Sequence, residues 1–374
     1  MFTLLSNFIL KHLSIRTSSP RILGMCRNQS KSMVYLVYAP ELVEWSAGIK
    51  VLYKLFEAIA ASGRHVLLIN HGRSTLRYKI HIMRELMKLN RRYHQSTFVA
   101  FYTESIIGNP LRVNTRIRWI LNYPGLLGGS ESFPDDIILS YTQNIARRFN
   151  EGDEMRSRVL FIPALNSSEI QNLVPALRWG DSKPYNLVYA QKYRSLGGKP
   201  NFTGFSTKEI SRFEKKSPNR AETLELIRNA QSLHVFENTT VITEAQLCGV
   251  PVFCHRNEFF DELIAEKELG DEGTTWDLTL EPATNPDIVR SRLLHFESSY
   301  RSQIESLLNQ IEAELEVGSP EPSRVHFNPF TSPLKHRIRR FIALAKRQHW
   351  RTAVRFLSNH LRRSVRRRTV SRGN

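Results

Sequence analysis

Short apolar runs typical of buried strands alternate with segments of helical spacing along this chain, and that alternation constrains its fold more than any other feature. Val34–Ala39 is a β-rich apolar run, and residues 49–61 then carry apolar side chains at helical spacing. The alternation continues to about residue 162 and begins again at Leu187. It predicts βαβ units, and therefore two α/β domains built on doubly wound parallel sheets. Ligands of such sheets bind at the carboxyl ends of the strands, so a cleft between the domains is the expected site.

The same reasoning assigns each segment to a strand or a helix. The predicted strands are Val34–Ala39, His65–Ile69, Thr97–Phe101, Ile137–Tyr141, Val159–Ile162, Leu187–Ala190, Leu233–Phe236 and Pro251–Cys254. The predicted helices are Ile49–Ala61, Leu76–Leu89, Arg116–Leu121, Thr207–Lys215, Arg220–Ala230, Ile242–Cys248 and Ser302–Glu316. Loop-forming residues near 165–185 place the boundary between the two predicted domains.

We therefore expect four parts: a loose basic extension at 1–32, an N-terminal Rossmann-like domain at 33–175, a C-terminal Rossmann-like domain at 176–300, and a last part at 301–374. The last part holds an amphipathic helix, a Pro-rich linker and a basic tail. Apolar residues of the tail recur at steps of three and four from 338 to 365, as on one face of a helix.

Net charge is concentrated at the two ends of the chain. Residues 335–374 hold 14 Lys and Arg, residues 1–32 hold five, and neither end has an acidic residue. The body between them thus keeps 34 of the 53 basic residues against all 35 acidic ones, although the whole chain has a net charge of +18. A nearly neutral body disfavours nucleic acid as the partner.

Cysteine usage and hydropathy indicate the compartment. Cys26, Cys248 and Cys254 show no C-x-x-C spacing, which argues against a disulfide framework or a zinc site and fits reduced thiols in the cytoplasm. No apolar run reaches the roughly 18 residues of a membrane span.

We expect a cytoplasmic protein whose basic tail, 335–374, reaches the inner face of an anionic membrane. Two other interpretations of the tail stay open: docking of its apolar face on the body, and binding of nucleic acid.

The segment Leu233–Val252 carries the sharpest motif. A strand ends at Phe236, the turn Glu237-Asn238-Thr239-Thr240 follows, and a helix begins within that turn. Its first backbone N–H groups and positive dipole end can receive a diphosphate, and Asn238 and Thr239 are good N-cap residues. Glu237 and Glu244 lie about two helical turns apart, so one carboxylate can face a sugar and the other the hydroxyls of a ribose. The plainer interpretation is a strand–turn–helix with two solvated glutamates.

This segment resembles the retaining GT-B glycosyltransferases, whose C-terminal domains carry Glu-x7-Glu followed by A-x-x-x-G-x-P-V. The matching residues are Glu237, Glu244, Ala245, Gly249, Pro251 and Val252, with a spacing of x6 instead of x7. Some bacterial cell-surface polysaccharide transferases are similar, with an E-N-T turn of this length. The resemblance implies that Glu244 binds the nucleotide ribose and that Glu237–Thr240 face the donor sugar and diphosphate, which makes Glu237 a catalytic candidate. It also implies that the sugar is transferred with retention of configuration.

Lys192-Tyr193-Arg194 follow the first strand of the C-terminal half. In the family, a Lys and often an Arg after this strand neutralise the departing diphosphate, so the resemblance makes Lys192 a catalytic candidate and Tyr193 and Arg194 donor-binding candidates. The chemical need is general, because a nucleoside diphosphate leaves with two negative charges. Solvated loop side chains are the alternative.

Four further residues are candidates for the cleft. Gly48 follows the first strand and would let the backbone approach the donor closely. Asn122 and Gly125 belong to a W-x-L-N-x-P-G stretch that resembles one in the bacterial polysaccharide transferases, and they are expected on the acceptor side. His71 follows the second strand and is a catalytic candidate. Each could instead be an ordinary loop residue.

Absent motifs narrow the chemistry. The sequence has no D-x-D triplet, which metal-dependent sugar transferases use, and no phosphate-binding G-x-x-x-x-G-K-[ST] loop. We therefore expect no metal and no cofactor besides the nucleotide-sugar substrate. The expected function is transfer of a sugar from a nucleotide-sugar to a glycan or lipid-linked acceptor in cell-surface polysaccharide biosynthesis. The alternatives are a GT-B-like protein that binds nucleotide or glycan without turnover, and a basic nucleic-acid-binding adaptor.

Overall fold

The computed structural model describes residues 33–70, 76–93, 96–126, 128–149, 158–175, 185–201, 206–210, 218–317 and 324–325. The extension 1–32, the tail 335–374 and His71 lie outside these residues, so the predictions made for them stay predictions. No helix within the described ranges is both long enough and apolar enough to cross a membrane.

The N-terminal domain is built on a six-stranded sheet in which every described pairing is parallel. Its strands are β1 Met33–Ala39, β2 His65–Asn70, β3 Thr97–Thr103, β4 Thr115–Ile120, β5 Ile137–Ser140 and β6 Arg158–Val159, in the order β2-β1-β3-β4-β5-β6. Helix α1, Ala47–Ala61, packs on one face, and helix α2, Leu76–Arg92, packs on the other. Because both faces are covered, β1 is almost wholly apolar and buried rather than alternating.

The C-terminal domain repeats this plan with five parallel strands. They are β7 Tyr185–Tyr189, β8 Thr207–Glu209, β9 Ala230–Val235, β10 Val252–Cys254 and β11 Thr274–Thr275, in the order β11-β10-β9-β7-β8. Its helices are α4 Ser167–Asn172, α5 Gln191–Ser195, α6 Arg220–Arg228, α7 Thr240–Leu247 and α8 Glu266–Leu269, whereas α3, Gln143–Phe149, connects β5 to β6 of the N-terminal sheet. Two doubly wound parallel sheets facing a cleft, as predicted from the alternation, are therefore confirmed.

Helix α9, Pro286–Val317, belongs to the cores of both domains. Near its start, Val289 and Leu293 pack in the C-terminal core. Farther along, Ile304 and Leu308 pack against the N-terminal sheet, although the sequence indicated a helix only from Ser302. The helix therefore ties the end of the second domain to the first.

Two predicted helices are wrong. Arg116–Leu121 forms strand β4, in which Ile117 and Trp119 face one core while Arg118 turns to the other side and pairs with Asp136 at 2.7 Å. A run of six residues is too short for its period to separate a strand from a helix. Thr207–Glu209 likewise forms strand β8, because pairing with β7 at the edge of the sheet decides its conformation.

Candidate functional site

A cavity of about 580 Å³ lies between the two sheets. On the N-terminal side it is lined by residues directly after strands, among them Pro40 after β1, Glu104 after β3 and Asn122 after β4. On the C-terminal side it is lined by Lys192 after β7 and by 237–240 after β9. The cavity therefore lies at the carboxyl ends of both sheets, which is where α/β domains bind ligands.

In both sheets the order of the strands reverses beside this cavity. In the N-terminal sheet β1 lies between β2 and β3, and in the C-terminal sheet β7 lies between β8 and β9. The connections after β1 and β3 leave on opposite sides of the sheet, as do those after β7 and β9, and each divergence opens a crevice. Because the two crevices face each other, a ligand with two parts can contact both domains at once.

Helix α7 points its N-terminus into the cavity wall. Thr239 caps it, with the hydroxyl accepting a hydrogen bond from the N–H of Val241 at 3.3 Å. The amide of Asn238 donates to the carbonyl of Glu262 and accepts from the N–H of Ile264, both at 3.0 Å, and so fixes the turn. The turn 238–240 thus lines the cavity, where the helix dipole presents positive charge.

Glu237 and Lys192 join the two C-terminal loops that line the cavity. The buried carboxylate of Glu237 accepts hydrogen bonds from the backbone N–H groups of Lys192 and Tyr193, at 3.1 Å for Tyr193. The ammonium of Lys192 donates to the carbonyl of Asn238 at 2.7 Å and lies 4.0 Å from the carboxylate of Glu237. A third of the Lys192 side chain stays exposed, so its charge is available at the cavity.

Glu244 does not line the cavity. It is 2% exposed, and its carboxylate pairs with the guanidinium of Arg220 at 2.5 Å. Arg220 also lies 3.9 Å from Glu169, which in turn pairs with Lys50 at 3.0 Å. A ribose-binding role for Glu244 would require its carboxylate to exchange Arg220 for ribose hydroxyls.

The remaining predicted residues divide into two groups. Gly48 and Asn122 line the cavity, although a Cβ at Gly48 would make only an ordinary 3.6 Å contact with Leu121. Tyr193, Arg194 and Gly125 do not line it. The Tyr193 ring stacks on Phe236 with centroids 5.4 Å apart, Arg194 pairs with Glu209 at 2.6 Å, and Gly125 sits in a turn with a φ of 79°.

The sequence interpretation missed Glu104, which the structure places in the cavity wall. Its side chain is only 4% exposed, and one carboxylate oxygen accepts a hydrogen bond from the N–H of Leu121 at 2.9 Å. Burial raises the pKa of Glu104 to about 7, against the opposing effects of backbone hydrogen bonds and of Lys192. Its position in the sequence could have identified it, because Glu104 is a carboxylate directly after a buried strand. Such a residue lies at the edge of the sheet where ligands bind.

Most of the cavity wall is apolar. Ile49, Leu52, Phe161 and Leu293 contribute to it, and Trp45, which is 60% exposed, stands at its rim. A few polar groups in an otherwise apolar wall are typical of small-molecule sites. Chemically, the C-terminal wall suits an anion, and the N-terminal wall presents one carboxylate that titrates near neutral pH.

No protein-family model matches this chain, and neither does any curated protein. Among solved structures, the chain is similar to the glycosyltransferase SnogD from Streptomyces nogalater, at 10% identity and a TM-score of 0.35 over 75% of this chain and all of that one. It is also similar to Os79 from O. sativa in complex with UDP, at 12% identity and a TM-score of 0.33 over 73% and 94% of the chains. A glycosyltransferase from Rickettsia africae matches at 9% identity and a TM-score of 0.34, over 77% and 99%. Identities and TM-scores this low assign no residue of the cavity a role.

Proposed function

We propose that this protein is a glycosyltransferase that moves a sugar from a nucleotide-sugar held by the C-terminal domain to an acceptor held by the N-terminal domain. The observation that carries the proposal is the cavity between the two facing crevices, whose C-terminal wall presents the N-terminus of α7 and the ammonium of Lys192. A transferase needs two substrates in contact, and this cavity offers each of them the ligand-binding edge of its own sheet.

The diphosphate of the donor would lie against the N-terminus of α7 and the ammonium of Lys192. Together they can receive the two negative charges that appear as the sugar–phosphate bond breaks, so we propose that the reaction needs no metal. Glu237 supports this arrangement by binding the N-terminal N–H groups of α5, the helix that bears Lys192. Transfer with retention of configuration is proposed on the likeness of Glu237–Val252 to the retaining enzymes.

The acceptor is proposed to be a glycan or a lipid-linked saccharide of cell-surface polysaccharide biosynthesis. The apolar wall around Leu52 and Phe161 and the exposed ring of Trp45 support an acceptor with an apolar part. Contact with such a part removes this apolar surface from water, which hydroxyl groups alone would not do.

A thermal-shift screen with uridine, guanosine and thymidine diphosphates and their sugar conjugates, in EDTA, tests the donor site. A ligand that binds only the folded protein raises the melting temperature, here by about 2–8 °C at saturating concentration. Lys192→Met removes the charge and should weaken that ligand about tenfold or more. Lys88→Met, on an exposed lysine of α2, is the matched control and should bind as the native protein does.

Three outcomes would favour other conclusions. Binding of a nucleotide-sugar without any loss of its sugar would favour a protein that binds without turnover. A folded protein that no nucleotide or nucleotide-sugar stabilises would contradict the donor site. A shift that appears only after Mg²⁺ or Mn²⁺ is added would contradict metal independence.

For the basic tail we propose a peripheral contact with an anionic membrane, supported by the 14 Lys and Arg and the apolar helical spacing in 335–374. Flotation with liposomes that contain phosphatidylserine should carry the full chain upward and leave a variant lacking 335–374 behind, since each basic residue near such a surface contributes about 1 kcal/mol. Neutral liposomes are the control. Equal flotation of both chains would contradict this proposal and would favour docking of the tail on the body.

A further inference from the structure

Glu104 is a carboxylate on the N-terminal wall of the cavity, where the acceptor is proposed to bind. It follows β3, whose connection diverges from that of β1 where the N-terminal sheet opens its crevice. Its carboxylate is buried, yet it lines the cavity, and Lys192 acts on it electrostatically from the donor wall. Under the proposed function, a carboxylate on this wall faces the side of the cavity that holds the donor.

The W-x-L-N-x-P-G stretch forms the support of this carboxylate. Leu121, within that stretch, donates its N–H to the Glu104 carboxylate at 2.9 Å. Gly129, four residues after the stretch ends at Gly125, packs so closely that a Cβ built on it would overlap the carbonyl oxygen of Glu104. A glycine is therefore required there to let the two loops touch.

Arg118 fixes the loop that Glu104 begins. Its guanidinium donates to the carbonyl oxygens of Thr103 at 3.0 Å, Ile106 at 2.6 Å and Gly108 at 3.0 Å. A cation buried to this extent is costly unless it is fully paired, and its partners here span the whole turn after β3. Arg118 is thus a positioning residue for the turn that carries Glu104.

The charges around Glu104 come from several elements. Lys192 of α5 favours the ionised carboxylate, while Glu237 after β9 and Glu266 at the start of α8 bring negative charge to the same cavity. Burial has the largest effect and raises the pKa of Glu104 to about 7. At neutral pH a carboxyl group with a pKa in this range is ionised in a substantial fraction of the protein molecules. The ionised form is basic enough to accept a proton.

We infer that Glu104 is the catalytic residue that takes the proton from the acceptor hydroxyl, an assignment that rests on the proposed sugar transfer. The acceptor oxygen forms a bond to the anomeric carbon of the donor sugar on the face from which the diphosphate leaves, as the retention of configuration proposed above requires. The bond from that carbon to the phosphate oxygen breaks, and its electron pair leaves with the nucleoside diphosphate towards Lys192. The hydroxyl proton moves to a carboxylate oxygen of Glu104, which later releases it to water. The protein therefore accepts this proton, and the departing phosphate does not have to.

Hydrolysis of the nucleotide-sugar with water as the acceptor tests this inference in the full-length protein, with release of nucleoside diphosphate as the signal. Glu104→Gln keeps the shape of the side chain and removes the base, so kcat should fall about 100-fold or more while the donor-induced thermal shift is unchanged. In the native protein kcat/KM should rise with pH up to about 7 and then level off, and this limb should be absent in the variant. Glu104→Asp should retain the limb at reduced kcat, which a purely structural role would not produce.

Glu85→Gln is the matched control, because Glu85 is also a buried glutamate of the N-terminal domain but lies on α2, outside the cavity. It should leave kcat and the pH profile unchanged. Native turnover together with a Glu104→Gln variant within threefold of it, or with the same pH limb, would overturn the role of Glu104 and leave the proposed function intact. If Glu104→Gln does not fold, a Glu104→Asp variant without the pH limb overturns the role equally. Absence of turnover by the native protein with every donor would overturn both.

Discussion

At the residue scale, a pair of histidines in the C-terminal sheet stands out besides the cavity. His234 of β9 and His255 after β10 approach to 2.9 Å between Nδ1 and Nε2. The His234 ring stacks on Phe253, and the His255 ring stacks on Phe236. The pKa of each is lowered to about 4, for His255 by burial and for His234 by burial together with the neighbouring imidazole. One neutral imidazole can donate to the other, but two imidazolium ions cannot share this site.

The pair predicts a loss of stability in mild acid. Unfolded histidines have a pKa near 6.5, so as the pH falls from about 7 to about 5 the unfolded chain takes up protons that the folded pair does not. The free energy of unfolding should therefore decrease over this window, by about 1 kcal/mol for each histidine once partial solvent screening is allowed for. The decrease should level off below about pH 4. Urea unfolding at pH 7 and pH 5 measures it.

A variant with His234→Gln and His255→Gln should lose most of this extra dependence on pH. His295→Gln, on an exposed position of α9, is the control and should keep it. If the double variant lost as much stability between the two pH values as the native protein, other groups would have to account for the effect.

At the scale of elements, helix α9 connects the two cores. Its Leu308 and Ile304 pack against the N-terminal sheet, and Glu312 accepts hydrogen bonds from Tyr35 at 2.5 Å and from Arg64 at 2.7 Å. Glu297, earlier on the helix, pairs with Lys54 of α1 at 2.7 Å. The second half of α9 therefore completes the N-terminal domain, although the chain reaches it only after passing through the C-terminal domain.

Leu308→Ala tests the contribution of this packing. Removing a fully buried leucine side chain leaves a cavity, so the free energy of unfolding should fall by about 2–4 kcal/mol. Urea denaturation at constant pH measures the change. Val317→Ala on the same helix, where the side chain is 89% exposed, should change it by less than about 0.5 kcal/mol. Equal effects of the two substitutions would contradict this account of α9.

At the scale of the whole molecule, charged side chains of both domains meet beside the cavity. Lys50 of α1 pairs with Glu169 of α4, which lies 3.9 Å from Arg220 of α6, and Arg220 pairs with Glu244 of α7. The order is cation, anion, cation, anion, so each inner charge has an opposite charge on both sides. This chain of charges and helix α9 hold the two crevices opposite each other, and a cavity with two distinct walls follows from that arrangement.

Most of the fold could be predicted from the amino-acid sequence. The alternation of apolar strands and helices predicted two parallel sheets, because a strand buried on both faces must be nearly continuous in apolar residues. It also located the N-terminus of α7 and the turn Glu237–Thr240 at the cavity, since N-cap residues directly after a strand are a local signal. It misassigned β4 and β8, whose short sequences have no clear period and whose conformation depends on pairing with neighbouring strands.

Which polar side chains reach the cavity could not be predicted from the sequence, because it depends on contacts between distant segments. Glu237 and Glu244 look equivalent in sequence, yet the first lines the cavity and the second is paired with Arg220, 24 residues earlier in the chain. No sequence pattern predicts that Arg118 and Glu104 act together. The contacts between the turn after β3 and strand β4 with its end form only when those strands pair. Strand and helix formation follow local preferences, but burial, charge pairing and the pKa of a carboxylate depend on neighbours that only the folded chain brings together.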